Sequence, residues 1–264
     1  MKALSSRDNP FVKRLHALAH SGRERRKLGQ TLLDGAHLVR AALEAGWPLR
    51  ELVVSDQGLA RDEIAAIVAT NAGLASVHLP DALFAHVSPV DTPSGLLAVV
   101  DLPPAPPPVA LDASLLVLDG VQDAGNLGTL LRTAAAAGLR DVLLTPGCAQ
   151  AWSPRVLRAG MGAHFCLHVH EHVDVAAVLG GYRGRIVATA LGPGTEILYG
   201  VDLRGAVAWL FGAEGRGLSA ELAAWAHTRV GIPMPGPVES LNVAAAAAIC
   251  LFEQVRQQRA AAPA

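Results

Sequence analysis

The chain has 264 residues, of which 51% are hydrophobic and 17% are charged, and its formal net charge at pH 7 is −1. This composition supplies a sizeable core and excludes an intrinsically disordered chain. No apolar stretch is long and uncharged enough to span a bilayer, and the first fifteen residues lack the apolar run of a signal peptide. The three cysteines form no CxxC pair, which argues against a disulfide framework or a cysteine zinc site. We therefore expect a soluble cytoplasmic protein without a bound metal.

Residues 1–30 are strongly basic although the whole chain is nearly neutral. They hold eight lysines and arginines against two acidic residues. A basic cluster at one end of a chain can bind phosphate groups, whereas charge runs more often form a solvated helix face. The candidate RNA-binding residues are Arg23, Arg25, Arg26 and Lys27.

The first hundred residues predict a small α/β domain. Asn9 and Pro10 predict the start of a helix that ends near His20, and a short basic helix follows over residues 23–28. Strand and helix patterns then alternate, which is typical of a compact α/β unit. The further predicted strands are TLLDG, ELVVS, SVHL and GLLAVV, and the further predicted helices are AHLVRAALEAG and residues 62–72.

A proline-rich segment, DLPPAPPPVALD (101–112), divides the chain. Five prolines within six residues cannot form a helix and favour an extended conformation. We therefore predict a first domain in residues 1–100, a linker in 101–112 and a second domain in 113–264.

The second domain continues the alternation of strands and helices. The segment SLLVLDG is apolar on both faces, as expected for a strand inside a parallel sheet. The other predicted strands are DVLLT, FCLHVH, RIVATA, AVAWLFG and the end of HTRVGIPM, and the predicted helices are LGTLLRTAAAAG, 153–160, 173–179 and 241–258. The pattern predicts an α/β fold with a doubly wound parallel sheet.

Three predicted strand ends are rich in glycine and polar side chains, and ligands of open α/β sheets bind at such ends. The first segment, LDGVQDAGNLGTLLRTA (118–134), carries Asn126 and Arg132. An arginine on the first turns of a helix can meet a phosphate with two parallel hydrogen bonds. The alternative is a capped helix with one surface arginine.

The second segment is LFGAEGRGLS (210–219), where three glycines surround Glu214. The order of the glycines differs from that of a dinucleotide-binding loop, and Glu214 is either a turn carboxylate or a site residue. The third segment, IPMPGPVESLNVAAAAAIC (232–250), places Ser240 and Asn242 at the start of the last helix, where free N–H groups favour an anion or a polar ligand. The alternative is that Ser240 caps the helix and Asn242 is incidental.

Together these segments contain the motifs N-x-G-x-x-x-R, G-A-E-G-x-G-L-S and I-P-M-x-G-x-x-x-S-L-N-V-A-x-A. Their order and spacing resemble the three motifs of the SpoU/TrmH family of RNA 2′-O-ribose methyltransferases, in the SPOUT superfamily. The resemblance spans about residues 115–258, and the start of the chain is similar to the substrate-binding domain of that family. It therefore implies an RNA substrate-binding domain in residues 1–100 and a SPOUT methyltransferase domain in residues 113–264.

The resemblance implies a deep trefoil knot at the C-terminus, S-adenosyl-L-methionine (AdoMet) bound in a bent form, and a homodimer whose site is built from both copies. It implies that backbone groups at Gly212, Ile232 and Leu241, with Met234 beside them, hold the cofactor. It also implies methyl transfer to a ribose 2′-hydroxyl of structured RNA, with 23S ribosomal RNA as the expected target.

The resemblance places the essential arginine of the family at Arg132, and the other polar motif positions at Asn126, Glu214, Ser240 and Asn242. Because a guanidinium stays protonated in proteins, we expect Arg132 to anchor a phosphate and polarise the hydroxyl, and the base is left open. We expect Asn126 and Glu214 to orient Arg132 and the loops, and Ser240 and Asn242 to contact the ribose or its phosphate.

Other functions are weighed against this one. A tRNA 2′-O-methyltransferase stays open, as does a non-catalytic RNA-binding ribosome assembly factor of the same fold, although the complete set of motif residues argues against the latter. A nucleotide-dependent oxidoreductase is disfavoured by the missing dinucleotide fingerprint. The segment HFCLHVHEH (164–172) begins with His164, and its later histidines His168, His170 and His172 would point the same way from a strand, which could make a metal site. Histidines near a sheet edge are, however, usually exposed or interfacial.

Overall fold

The computed structural model describes residues 1–261. The helices are α1 (Pro10–His20), α2 (Gly22–Leu28), α3 (Ala36–Glu44), α4 (Asp56–Leu59), α5 (Asp62–Thr70), α6 (Asp81–Val87), α7 (Ala124–Ala136), α8 (Pro154–Gly160), α9 (Val175–Gly181), α10 (Ala220–Ala223) and α11 (Val243–Ala261). The strands are β1 (Lys2–Ala3), β2 (Gln30–Asp34), β3 (Leu49–Ser55), β4 (Ala75–Leu79), β5 (Leu96–Asp101), β6 (Leu115–Asp119), β7 (Asp141–Leu144), β8 (His168–His170), β9 (Arg185–Thr189), β10 (Glu196–Ile197), β11 (Val207–Gly212) and β12 (Thr228–Gly231). No helix within residues 1–261 is both long and apolar enough to cross a membrane.

The chain forms two compact units. The first comprises Met1–Pro104 together with Trp152–Phe165, and the second comprises Ala105–Ala151 together with the chain from Cys166 onward. The division after Pro104 falls inside the predicted linker. The predicted second domain, however, includes the segment Trp152–Phe165, which the structure packs into the first unit. Residues 262–264 of that predicted domain lie outside the described residues.

The first unit is built on a five-stranded sheet in the order β1-β4-β3-β5-β2. β1, β4 and β3 are parallel, whereas β5 is antiparallel to both β3 and β2. Side chains alternate between the two faces of a strand, and both faces of β5 are buried. One face packs against α1 and α6, and the other packs against α3, α5 and the segment that contains α8.

Side chains of the segment Trp152–Phe165 explain why it belongs to the first unit. Leu157 on α8 is 1% exposed and lies in the same apolar cluster as Leu52 and Val54 of β3. The Arg158 guanidinium donates to the buried carboxylate of Asp34 on β2. A helix that buries an apolar face and pairs a buried charge is held by that unit, whatever its place in the sequence.

The second unit contains an entirely parallel seven-stranded sheet in the order β10-β12-β9-β11-β6-β7-β8. The predicted parallel α/β sheet is therefore confirmed. α9 and α10 cover one face of the sheet. α11 packs on α7 and lies on the other face, where Trp209 Nε1 donates to Gln254 Oε1 at 2.7 Å.

The secondary-structure predictions are most accurate where a helix-capping residue and an apolar run indicate the same element. α1 begins at Pro10 as predicted, and Asn9 Oδ1 accepts a hydrogen bond from the N–H of Phe11 at 2.9 Å. The predicted strand FCLHVH is wrong in its first half, because Ala163–Phe165 forms a 3₁₀ turn and the strand covers only His168–His170. The sequence patterns do not predict α6, which has only seven residues.

Candidate active site

A cleft of about 680 Å³ opens at the carboxyl ends of three neighbouring strands of the second unit, β9, β11 and β12. Its walls come from the residues after β9, from the glycine-rich turn after β11 and from the proline-rich loop that leads into α11. Each of the predicted cofactor-binding residues lines it: Gly212, Ile232, Met234 and Leu241. The catalytic candidates Glu214, Ser240 and Asn242 line the same cleft. Parallel strands align their carboxyl ends, and this alignment brings motifs that are far apart in the sequence together.

Gly212 is required by a close approach of the backbone. A Cβ atom at this position would lie 2.0 Å from the carbonyl carbon of Gly217. The turn after β11 folds back so tightly that the N–H of Gly217 donates to the carbonyl of Ala213 at 2.9 Å, with φ angles of 82° at Gly215 and 66° at Gly217. The glycines of this motif are therefore needed first for the shape of the turn. Because glycine has no side chain, the backbone of the turn is also uncovered beside the cleft.

Three polar side chains from three different elements form one hydrogen-bonded cluster. Asn126 Nδ2 on α7 donates to Glu214 Oε1 at 2.7 Å, and Asn242 Nδ2 donates to the same oxygen at 2.7 Å. Asn242 Nδ2 also lies 3.0 Å from Asn126 Oδ1. We call Asn126, Glu214 and Asn242 the polar cluster. The other carboxylate oxygen, Glu214 Oε2, has no hydrogen-bond partner within residues 1–261, so it can accept one from a ligand.

Asn242 is the N-cap of α11, and the alternative in which Ser240 caps the helix is wrong. Asn242 Oδ1 accepts hydrogen bonds from the N–H groups of Ala244 at 2.9 Å and Ala245 at 3.4 Å. The side-chain oxygen is thus committed to the helix, and the side-chain nitrogen is committed to the polar cluster. Ser240 lies two residues earlier, and it is exposed beside the cleft.

Arg132 stands apart from the polar cluster. It is exposed on α7, and no hydrogen bond or ion pair joins its guanidinium to another residue in the described range 1–261. Arg132 lies six positions after Asn126 on the helix, which turns its side chain about 120° away around the helix axis. The expectation that Asn126 and Glu214 orient Arg132 is therefore not met by direct hydrogen bonds within one chain.

The structure adds a supporting residue that the motifs did not single out. Asp119, at the end of β6, accepts from Thr145 Oγ1 at 2.8 Å and from the N–H of Ser219 at 2.7 Å. One carboxylate thus ties the ends of β6 and β7 to the segment after the glycine-rich turn. In the sequence, Asp119 is recognisable as the acidic residue directly after the apolar strand in SLLVLDG.

The candidate RNA-binding residues fall into two groups. Arg23, Arg26 and Lys27 are exposed on α2. Arg25 is only 7% exposed, and its Nη1 donates to the carbonyl of Leu18 at 2.8 Å. That carbonyl lies in the last turn of α1, where C=O groups lack helical partners, so Arg25 closes a helix end. The prediction for Arg25 is corrected accordingly, because its guanidinium is not available to RNA.

The histidines around β8 do not line up as a ligand set. His170 Nε2 lies 2.9 Å and His168 Nδ1 lies 3.3 Å from Asp141 Oδ1, while His164 sits in the 3₁₀ turn of the other unit and His172 follows the strand. Within residues 1–261, no group of three or more His, Cys, Asp or Glu side chains is arranged to hold a metal ion.

Comparisons with known proteins match both units. Residues 113–252 match the model of the SpoU rRNA Methylase family, and residues 9–98 match that of the MRM3-like substrate binding domain. The chain is 33% identical over 257 residues to the Bacillus subtilis 23S rRNA (guanosine(2553)-2′-O)-methyltransferase RlmP, covering 96% of this chain and 98% of the relative.

Two solved structures are similar over almost the whole chain. The crystal structure of an RNA 2′-O ribose methyltransferase has a TM-score of 0.84 and 33% identity, covering 97% of this chain and 99% of the other. The AdoMet-bound rRNA methyltransferase from Sinorhizobium meliloti has a TM-score of 0.81 and 29% identity, covering 97% of each chain.

Proposed function

This chain belongs to the SpoU rRNA methylase family, and from that premise we propose that it transfers a methyl group from AdoMet to a ribose 2′-hydroxyl of ribosomal RNA. A relative that matches nearly end to end is named for this reaction on 23S rRNA. The observation that supports the proposal best is the cleft at the carboxyl ends of β9, β11 and β12, with Glu214 and Asn242 of the polar cluster in its wall.

The residues of the cleft fit AdoMet. A volume of about 680 Å³ is within the usual range for a ligand of this size. Ile232, Met234 and Leu241 offer apolar contacts for a base, and the glycine-rich turn offers backbone groups for the polar parts of the ligand. The carboxylate of Glu214 lies in the same wall and favours a positively charged ligand there. When bound, AdoMet supplies a methyl group activated by its sulfonium.

Because that methyl group is already activated, the protein acts mainly by positioning the 2′-hydroxyl in line with it. We assign Arg132 to a phosphate of the RNA, where a guanidinium forms two parallel hydrogen bonds and polarises the neighbouring hydroxyl. We assign Ser240, exposed at the cleft, to the ribose or its phosphate. The polar cluster keeps the glycine-rich turn and the start of α11 in register with α7.

We further propose a homodimer in which the site is completed by a second copy, a deep trefoil knot formed by the loops after β11 and β12, and action in the cytoplasm. The Arg132 side chain makes no hydrogen bond to the polar cluster of its own chain, which fits an arginine that serves the partner's cleft. Apolar side chains of the second unit are exposed, including Phe252 of α11 at 47%. Exposed apolar surface of this kind favours burial against another copy.

The test is a map of ribose methylation in total rRNA and tRNA from cells with and without the gene. We expect one rRNA site to lose its methyl group and to regain it with the wild-type gene or with Arg140→Ala. Arg140 is an exposed arginine that follows α7 but lies outside the cleft. Arg132→Ala should not restore the site. A lost site in tRNA would overturn the rRNA assignment, and an unchanged map together with no AdoMet binding in calorimetry would overturn the enzyme assignment.

A further inference from the structure

The first unit carries a group of three imidazole rings, in which His16 contacts the other two. His16 and His20 on α1 have ring centroids 4.6 Å apart. His16 also stacks on His86 of α6, with centroids 4.6 Å apart and an interplanar angle of 22°. We call His16, His20 and His86 the imidazole cluster. It takes no part in the cleft of the second unit, and no motif in the sequence predicts it.

The surroundings of the imidazole cluster are cationic. Burial, and then the charges of His16, Arg155, His86 and Arg25, lower the pKa of His20. Burial, and then the charges of His16 and Arg7, lower the pKa of His86. Each charged neighbour that acts on these two rings is a cation, supplied by the segment before α1, by α2 and by α8.

The acidic groups nearest in the sequence to His16 and His20 are already paired. Asp81 and Asp91, each five residues from His86, are not among the charges that shift its pKa. Asp8 Oδ1 lies 2.9 Å from Lys13 Nζ, and Glu24 Oε2 lies 3.8 Å from Lys27 Nζ. Each ion pair contributes one positive and one negative charge, so neither pair offsets the positive surroundings of the imidazole cluster. Arg155 Nε donates to the carbonyl of Pro89 at 3.3 Å, which holds this arginine close to the end of α6.

Protonation of adjacent imidazole rings among cations is unfavourable, because each added positive charge repels the positive charges already present. A polyanion would remove this cost and would find arginines and imidazole donors converging from several elements. We infer that the imidazole cluster, together with Arg7 and Arg155, contacts the phosphate backbone of the RNA substrate, and that His20 and His86 take up protons as the RNA binds. The inference rests on the proposed function for the identity of the polyanion. The three histidines lie within the range that matches a substrate-binding domain.

The sign of the pH dependence follows from the lowered values. In the free protein the pKa values of His20 and His86 lie below 6.5, and a bound phosphate raises them. Protons are therefore bound more tightly in the complex. The resulting gain in RNA affinity is complete below the free pKa values and is lost as the pH rises above the pKa values of the complex. Each imidazole whose pKa rises by one unit contributes up to about tenfold in affinity at low pH.

The experiment measures the affinity of the full chain for a fluorescein-labelled rRNA hairpin by anisotropy, at constant ionic strength, from about pH 5.5 to about pH 8. The test variant is His16→Gln/His20→Gln/His86→Gln, which removes the titrating groups. The control is His37→Gln, which removes an exposed histidine of α3 in the same unit. We expect wild type and control to gain affinity on acidification by about tenfold or more, and the triple variant to lose most of that gain. The same pH dependence in all three proteins would overturn the inference.

Two further readouts keep the test decisive. If thermal unfolding shows that the triple variant is not folded, His20→Gln replaces it, because His20 is exposed and should still lose part of the pH-dependent gain. The ring-proton NMR signals of the histidines are then titrated in the wild-type protein with and without the hairpin. RNA should raise the pKa values of His20 and His86, whereas an equal rise with inorganic phosphate alone would reveal a general anion site and overturn the RNA assignment. A protein that shows this RNA binding but methylates no RNA would overturn the proposed function and leave the inference standing.

Discussion

Asn242 Nδ2 donates to Glu214 Oε1 at 2.7 Å, and the oxygen of the same amide caps α11. One side chain therefore joins the start of the last helix to the glycine-rich turn. The two polar atoms of the Asn242 amide have distinct roles, since the oxygen can only accept a hydrogen bond and the nitrogen can only donate one. The hydrogen bond between Asn242 and Glu214 links the second and third sequence motifs. Substitutions can separate this link from the capping of α11.

The first prediction distinguishes the capping role of Asn242 from its hydrogen bond to Glu214. Asn242→Ala removes both the cap and the bond to Glu214, and it should lower the free energy of unfolding by about 1 kcal/mol through the cap alone. Asn242→Asp keeps a capping oxygen but sets a carboxylate against Glu214, so it should retain more of the stability. Both variants should weaken AdoMet binding, because both release the turn that lines the cleft. The measurements are thermal unfolding and calorimetric titration with AdoMet, and wild-type AdoMet affinity in both variants would refute a role for this link.

The second prediction concerns the tight turn. Gly212→Ala places a Cβ 2.0 Å from the carbonyl carbon of Gly217, so the backbone must move. Overpacking of this kind costs about 3 kcal/mol, and the moved turn should abolish AdoMet binding. The matched control is Gly236→Ala in the neighbouring proline-rich loop, where a Cβ would meet nothing within 4 Å. Denaturant unfolding and AdoMet titration of both variants test the prediction, and equal behaviour of the two would show that the close approach is not required.

The third prediction follows from the burial of Arg25. Arg25→Ala removes a charged donor from the last turn of α1 and should lower the free energy of unfolding by about 2 kcal/mol. Arg26→Ala, one residue along the exposed surface of α2, should leave unfolding unchanged. It should instead weaken RNA binding and reduce the salt slope of affinity by about one. Loss of RNA affinity in Arg25→Ala with an unchanged melting temperature would restore Arg25 to the RNA-binding set.

Local sequence patterns predicted much of the fold for an identifiable reason. Buried strands such as β6 are continuous apolar runs, and helix starts such as Asn9–Pro10 carry their own cap. The three candidate segments followed from the same patterns, because polar motifs after parallel strands must meet at one edge of the sheet. The cofactor-binding residues and the roles of the polar residues came from the resemblance to the family. Here that rule brought residues 116 positions apart, Asn126 and Asn242, to within 3.0 Å.

What the sequence could not predict depends on tertiary contacts. The place of α8 in the first unit rests on the burial of Leu157 and the pairing of Arg158 with Asp34, which is 124 residues away. Arg25 looks like its basic neighbours until the carbonyls of α1 are placed beside it. The choice of Asn242 over Ser240 as the cap is a shift of two residues, within the usual uncertainty of helix ends read from sequence. The imidazole cluster needs α1 and α6 side by side.

The last prediction tests which chain supplies Arg132. Arg132→Ala should abolish methyl transfer while AdoMet still binds, and Glu214→Gln should strongly reduce methyl transfer by weakening the polar cluster. If the site of a homodimer combines Arg132 of one copy with the cleft of the other, a mixed dimer of these two variants holds one site with both groups intact. Subunit exchange at equal amounts makes half of the dimers mixed, so the mixture should recover about a quarter of the wild-type turnover. If Arg132 serves its own chain, every site in the mixture carries a defect, and turnover should stay at the level of the separate variants. Arg140→Ala, mixed with Glu214→Gln in the same way, gives the activity expected when one partner has a complete site.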